Sequence, residues 1–311
     1  MIALDDIRGA ATRIAPHVRR TPTVEITCLS QPLTEARLFL KLENLQASGS
    51  FKARGATNKL LSLPREAVAR GIVTASGGNH GLAVARAARL AGVEATVFVT
   101  ESATGEKREK LRQWGAKVEV LGKIWNEANI GALAHAETSG AAYFHPFADP
   151  MVVAGQGTAA LELLSDAPDL DVVLVAIGGG GLISGMAVAL KALKPSIRLV
   201  GIEPVGSPTL KASLDAGKVV RLESVTSRVA TMSCGETDPD VFELIRTHVD
   251  EIVLISDDEM EEAARWLWFE LGMAADLSGA AAIAAMRTGN VQFNAGDNVG
   301  ALVCGAGLDG V

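Results

Sequence analysis

Cysteine is scarce in this chain, and its three occurrences are scattered. Cys28, Cys234 and Cys304 are odd in number and form no CxxC pair. That argues against a disulfide framework and fits a reducing cytoplasm. The five histidines, His17, His80, His135, His145 and His248, show no metal-ligand spacing. Basic runs and aromatic-interleaved patches are missing, and a net charge of −7 is spread over both signs, so nucleic acid is not an expected partner. The acidic start, Met1 to Asp6, lacks the apolar core of a signal peptide. The GxGxxG and GxxxxGK[ST] fingerprints do not occur around the glycine run at 178–181, which disfavours NAD and nucleoside triphosphates. Val172 to Leu190 has no charged residue and imitates a membrane span, but four consecutive glycines lie inside it. Each glycine costs a helix ~1 kcal/mol against alanine, so a buried strand, a loop and a helix explain the segment better, and no membrane partner is expected.

What remains reads as a soluble globular enzyme of 311 residues, 48% apolar and 21% charged, with about two domains on the usual size prior. Strand and helix patterns alternate from Gly71 to His145: strands at Gly71–Ala75, Ala95–Thr100, Lys117–Leu121 and Ala141–His145, with helices between them. The rhythm resumes after Pro150, with strands at Val172–Ile177, Arg198–Glu203, Glu251–Ile255 and Val299–Cys304. Helices are expected at Val152–Leu164, Ile183–Leu193, Thr209–Ala216, Asp257–Leu271 and Ser278–Met286, the fourth capped by Ser256 or Asp257. The pattern predicts an α/β fold with parallel-rich sheets flanked by helices, and ligands at the carboxyl ends of strands.

Three loops carry the chemistry. Ser48 to Ala56 sets one lysine, Lys52, among small residues, after Phe51 and before Arg54. Partial burial would lower the amine's pKa and make it a nucleophile. Ser76-Gly77-Gly78-Asn79-His80-Gly81 follows a strand and opens a helix, so its amides and side chains suit a carboxylate. The same letters also fit a tight turn capped by Ser76. Gly178-Gly179-Gly180-Gly181-Leu182 could curl its N–H groups around a phosphate at a helix start. A nucleophilic lysine, a phosphate cup and a carboxylate loop together describe pyridoxal phosphate chemistry.

These three loops, in their order and spacing from Glu43 to Cys304, resemble the serine/threonine dehydratases and serine racemases of pyridoxal phosphate fold type II. The resemblance implies that Lys52 binds the cofactor aldehyde covalently and that Phe51 packs beside the cofactor. It implies that Asn79 meets the ring oxygen, that Gly178, Gly179, Gly180, Gly181 and Leu182 hold the phosphate, and that Cys304 faces the pyridine nitrogen. Ser76, Gly77, Gly78, Asn79 and His80 would bind the substrate carboxylate, His80 through its backbone N–H. A large domain, residues 1–48 with 145–311, would be interrupted by a small one, residues 49–144. The resemblance also implies a homodimer. A C-terminal regulatory domain like that of biosynthetic threonine dehydratases is not expected.

The chain departs from the pattern in places. Gly77 stands where racemases carry a serine acting from the opposite face, so racemisation should be poor. Glu203 and the Ser207 carbonyl match a cation site, divalent or monovalent, but Thr209 replaces its aspartate and leaves the set incomplete, so Glu203 is expected to make a hydrogen bond at its strand end instead. Met232 to Glu236 resembles a loop of diaminopropionate ammonia-lyases, with Gly235 near the cofactor ring. Trp125 falls where the small domain could overhang the substrate, but a place in the core is expected for it. The expected activity is conversion of serine, threonine or a bulkier β-hydroxy amino acid to a 2-oxo acid and ammonia. The alternatives are elimination from another β-substituted amino acid, a synthase adding a nucleophile, weak serine racemisation, or a non-catalytic cofactor-binding protein.

Overall fold

The computed structural model describes residues 2–123 and 125–311. Ten strands and twelve α-helices are present among them. The strands are β1 (Thr23–Ile26), β2 (Arg37–Lys41), β3 (Ile72–Ala75), β4 (Ala95–Val99), β5 (Ala116–Val120), β6 (Ala142–Tyr143), β7 (Val172–Ala176), β8 (Arg198–Pro204), β9 (Glu251–Ile255) and β10 (Asn298–Leu302). The helices are α1 (Leu4–Ile14), α2 (Lys52–Ser62), α3 (Arg65–Val68), α4 (Asn79–Ala91), α5 (Gly105–Gln113), α6 (Trp125–Ser139), α7 (Pro150–Asp166), α8 (Gly181–Leu193), α9 (Thr209–Ala216), α10 (Pro239–His248), α11 (Asp257–Leu271) and α12 (Leu277–Arg287).

Two sheets form. The six-stranded sheet runs β1-β2-β10-β7-β8-β9, parallel except for the antiparallel β1–β2 pair. The four-stranded sheet runs β5-β4-β3-β6 and is all parallel. The run Val-Val-Leu-Val-Ala of β7 is buried throughout, without alternation, because a strand inside a parallel sheet is covered on both faces. β3 and β4 are buried throughout for the same reason. Among the described residues, no helix is long and apolar enough to cross a membrane; Val172–Leu190 divides into β7, the glycine loop and α8.

Helix starts follow local chemistry. Asp149, Asp238 and Asp276 cap α7, α10 and α12 with their side chains, and Ser256 with Glu259 forms a capping box for α11. α2 packs against both α7 and α4. The α2–α7 approach needs glycine: a Cβ on Gly155 would lie 2.7 Å from the Gly55 Cα.

α2 is also anchored by buried charge. The Arg54 guanidinium meets Glu43 at 2.7 Å and Glu162 at 2.7 Å, and Lys41 donates to Glu162 at 2.7 Å and to the Thr21 carbonyl at 2.7 Å. Burial works against the charge on Glu43, yet Arg54 beside it holds its carboxyl below the usual carboxylate range. The helix bearing Lys52 is thereby fixed within its first turn, two residues after the lysine.

Candidate active site

Lys52 opens α2, half-buried, after a loop in which Ser48 and Gly49 take left-handed φ of 63° and 85°. That loop is zipped to the chain beyond β10: Phe51 N–H donates to the Cys304 carbonyl at 3.1 Å, and Ala306 N–H to the Gly49 carbonyl at 2.8 Å. The Lys52 Nζ donates to the Pro146 carbonyl at 2.7 Å and lies 5.1 Å from the centre of the Phe51 ring. Burial lowers the amine to about 8, against small opposing effects of Cys304 and Cys234.

The Ser76–Gly81 turn follows β3 and starts α4. Ser76 Oγ accepts the Gly78 N–H at 3.3 Å, which is the capped turn, while remaining half-buried. Gly77 could bear a Cβ at 3.4 Å from that of Ala103, whereas a Cβ on Gly81 would strike the Ser76 carbonyl. The Asn79 amide is turned by Asp276, to which Nδ2 donates at 2.8 Å. The His80 ring is engaged elsewhere, with Nε2 3.1 Å from the Phe144 carbonyl, and burial lowers it to about 3. Its side chain is therefore neutral and faces the fold; its backbone N–H lies in the first turn of α4, where no helical carbonyl can accept it.

The glycine loop follows β7. Gly180, at φ 94°, is the N-cap of α8, and the N–H groups of Gly181, Leu182 and Ile183 open that helix without acceptors inside it. The loop has no room for side chains. A Cβ would stand 3.0 Å from the Thr231 carbonyl at Gly178, 2.7 Å from Val241 at Gly180 and 2.5 Å from the Phe147 carbonyl at Gly181. At Gly179 it would enter the Phe147 ring. The Gly179 carbonyl is held by Thr237 Oγ1 at 3.0 Å.

Cys304 lies two residues beyond β10, which ends at Leu302 and not at the cysteine as the sequence pattern suggests. Its thiol is buried and points at Ser278 Oγ, 3.6 Å away. Burial pushes it well above the usual thiol range, and the charge of Asp276 adds to that, so it stays protonated.

One further expectation needs correction, and the remaining residues are placed as follows. Trp125 is not a core residue: it is 37% exposed, and its indole N–H donates to the Ala75 carbonyl at 2.9 Å, just ahead of Ser76. Glu203 caps α9, its two oxygens accepting the N–H groups of Leu210 and Lys211 at 2.8 Å each; burial raises its carboxyl to about 7. Ser207 Oγ donates to the Cys234 carbonyl at 3.0 Å, and Thr209 Oγ1 bonds the same carbonyl. Among the described residues, no group of three acidic, histidine or cysteine side chains could hold a metal ion. Gly235 accepts the Leu222 N–H at 2.8 Å, and Glu236 is exposed, 4.0 Å from Arg221. The Cys234 thiol donates to the Glu236 carbonyl at 3.1 Å and is raised to about 11 by burial.

Several neighbours escape sequence reading. Pro146 holds the lysine amine, and Phe147 fills the space under the glycine loop. His145 lies edge-on to Phe147, 4.6 Å between ring centres; its Nδ1 accepts the N–H groups of Phe147 and Ala148 at 3.2 and 2.9 Å, and burial lowers it to about 4. Asp276 and Ser278 complete the wall. The aspartate ahead of an alanine-rich helix is a readable N-cap signal, but its second oxygen is not.

Parallel strands ending at a glycine-built helix start, with a half-buried lysine of lowered pKa nearby, define an α/β enzyme of the pyridoxal phosphate fold type II class. The chain belongs to the family of pyridoxal-phosphate dependent enzymes, which it matches over residues 14–305. It is 38% identical over 309 residues to the L-threonine ammonia-lyase of Thermotoga maritima, covering 99% of this chain and 76% of the relative. It is similar to the crystal structure of a threonine deaminase from T.th., with TM-score 0.90, 36% identity and 98% of each chain covered. Maize serine racemase superposes with TM-score 0.92 and 34% identity over 98% of this chain and 93% of that one. The residues present fit the cofactor: the close-packed glycine loop turns the N–H groups of Gly181, Leu182 and Ile183 out at a helix start without acceptors inside the helix, and the lysine amine, lowered to about 8, can lose its proton near neutrality.

Proposed function

We propose that this enzyme is an ammonia-lyase acting on L-serine, L-threonine or a bulkier β-hydroxy amino acid. The carrying observation is the Lys52 amine, half-buried, lowered to about 8, and set beside a neutral Cys304. The names of the threonine ammonia-lyase and threonine deaminase relatives support the substrate class.

In this reading Lys52 would hold the cofactor through its aldehyde group, and Phe51 would pack beside the ring. The N–H groups from Gly178 to Leu182 hold the phosphate, and Gly235 borders the ring. Bound pyridoxal phosphate supplies an electron sink for charge that develops at the substrate Cα. Ser76 Oγ and the N–H groups of Gly77, Gly78, Asn79 and His80 orient the substrate carboxylate. Once free, the Lys52 Nζ takes the Cα proton, a base role suited to its lowered pKa. The β-hydroxyl leaves as water, and water is added back as ammonia is released, leaving the 2-oxo acid. Burial keeps Cys304 neutral, so it would supply no negative charge to hold a proton on the ring nitrogen, which would favour elimination over transamination. Gly77 offers no second base, so racemisation is weak. We assign residues 1–48 with 145–311 to the larger domain and 49–144 to the smaller, in a cytoplasmic homodimer.

The test is ammonia and 2-oxo acid release by purified holoenzyme over a panel of β-substituted amino acids, with and without added thiol. Turnover of serine or threonine is expected. Release from diaminopropionate alone, or a thioether product with thiol present, would replace this reading with the elimination or synthase alternative.

A further inference from the structure

Asp276 does more than a helix cap requires. One oxygen, Oδ1, accepts Gly279 N–H at 2.6 Å and Ser278 Oγ–H at 2.7 Å, which completes the cap of α12. Asparagine or serine would cap as well. The other oxygen, Oδ2, accepts the Asn79 amide from the opposite sheet's first helix turn, 197 residues away, at 2.8 Å. Ser278 in turn receives the Cys304 thiol at 3.6 Å. The aspartate N–H also donates to the Gly305 carbonyl at 3.0 Å, and a Cβ on Gly305 would stand 2.5 Å from Oδ2. One carboxylate thus ends two hydrogen-bonded arms, Asn79 on one side and Ser278 with Cys304 on the other. Burial disfavours its charge, so a purely structural cap gains little from being an acid here.

We propose that Asp276 is a positioning residue that fixes the donor face of Asn79, so that this one carboxylate sets which group of the amide meets the ring oxygen of the cofactor. This rests on the site reading above. A carboxylate only accepts, so it draws Nδ2 of Asn79 toward itself and leaves the second N–H of that nitrogen for the ring oxygen. The bond to a charged acceptor also polarises the amide and strengthens that remaining N–H. Asparagine at position 276 could not do this. Its single oxygen would stay with Gly279 N–H, its NH2 would face Asn79, and the Asn79 amide would turn over and present an acceptor to the ring.

The experiment is a double-mutant cycle on the holoenzyme with Asp276→Asn and Asn79→Ala, read by cofactor Kd and by the visible absorbance maximum of the bound cofactor. Asp276→Asn is expected to weaken cofactor binding about tenfold and shift the maximum. Adding it to Asn79→Ala should change neither further. A wild-type spectrum and Kd in Asp276→Asn, or additive effects, overturns the proposal. Failure of the wild-type protein to take up pyridoxal phosphate would instead overturn the site reading. If Asp276→Asn is insoluble, the exchanged pair Asn79→Asp with Asp276→Asn restores a donor opposite a carboxylate. Recovered folding without the wild-type absorbance supports the pairing, and an exchanged pair as insoluble as the single variant overturns it.

Discussion

The backbone N–H of Phe51 donates to the carbonyl of Cys304 at 3.1 Å. The residue before the lysine is thus bonded to the residue whose thiol stays neutral, and the two groups proposed to meet the cofactor from different directions share one backbone joint. The flanking bond from Ala306 N–H to the Gly49 carbonyl, 2.8 Å, closes the joint on the other side. Substitutions at either end should therefore be read for cofactor geometry as well as for chemistry.

Replacing Lys52 removes both the proposed attachment point and the proposed base. Lys52→Ala should abolish ammonia release and the visible absorbance of the purified protein, while leaving the thermal transition of the cofactor-free chain in place. Retained absorbance and turnover would refute the assignment.

The lysine also gives a pH signature. Its folded pKa, about 8, lies below the ordinary lysine value, so between about pH 8 and 10 the unfolded chain holds more protons at this site than the folded one. Stability from this group therefore rises with pH across that window. In cofactor-free protein the slope should be visible in denaturant midpoints and absent in Lys52→Met. Cofactor uptake should likewise accelerate as pH rises through about 8. Equal slopes in both proteins would show that the amine is not perturbed.

Much of this site was legible in the sequence because it depends on local constraints. Gly178 to Gly181 had to mark a close approach, and the structure fills that space with Phe147 and Val241. The β7 run and the Ser256 cap were equally readable. Partners brought together by the fold were not. Nothing near Lys52 in sequence points to Pro146, and nothing near Asn79 points to Asp276. Trp125 shows the limit of composition: a tryptophan is usually buried, yet this one anchors by one indole bond at a helix start. The short β1 and β2 and the helix α2 were missed because their apolar patterns are brief, with tertiary contacts supplying the order.

Arg54 carries the packing under the lysine. It is buried between Glu43 and Glu162, so Arg54→Met would strand the Glu43 carboxylate, itself without exposure. Breaking such a pair from one side costs about 3–5 kcal/mol. Urea unfolding should show a loss of that order, with cofactor affinity falling as α2 loosens. A loss below about 1 kcal/mol would mean that the network does not hold the helix.

Gly77 is the site at which product outcome should be adjustable. A side chain there has space, since its Cβ would sit 3.4 Å from Ala103 and 3.7 Å from Val99. Gly77→Ser should therefore fold and retain the cofactor. It should raise D-serine formation from L-serine relative to 2-oxo acid, as separated by chiral chromatography. An unaltered ratio in a folded, cofactor-loaded variant would remove Gly77 from the control of product outcome.

Cys304 offers the sharpest test of how the ring is held. Its thiol is buried, points at Ser278 Oγ and is kept protonated by burial and by the nearby charge of Asp276. A serine can make the same neutral contact and the same bond to Ser278, so Cys304→Ser should keep most of the activity with little change in product partition. Cys304→Asp is different. It places a second carboxyl beside Asp276, and like charges at that spacing force one of the two to hold a proton. The shared proton then lies where the pyridine nitrogen is proposed to sit. The ring should become a stronger electron sink, with more racemised and transaminated product per 2-oxo acid. Chiral analysis of recovered substrate, set beside the absorbance of the bound cofactor, measures both. An aspartate variant that binds the cofactor normally and yields the wild-type product ratio would show that Cys304 does not face the ring nitrogen.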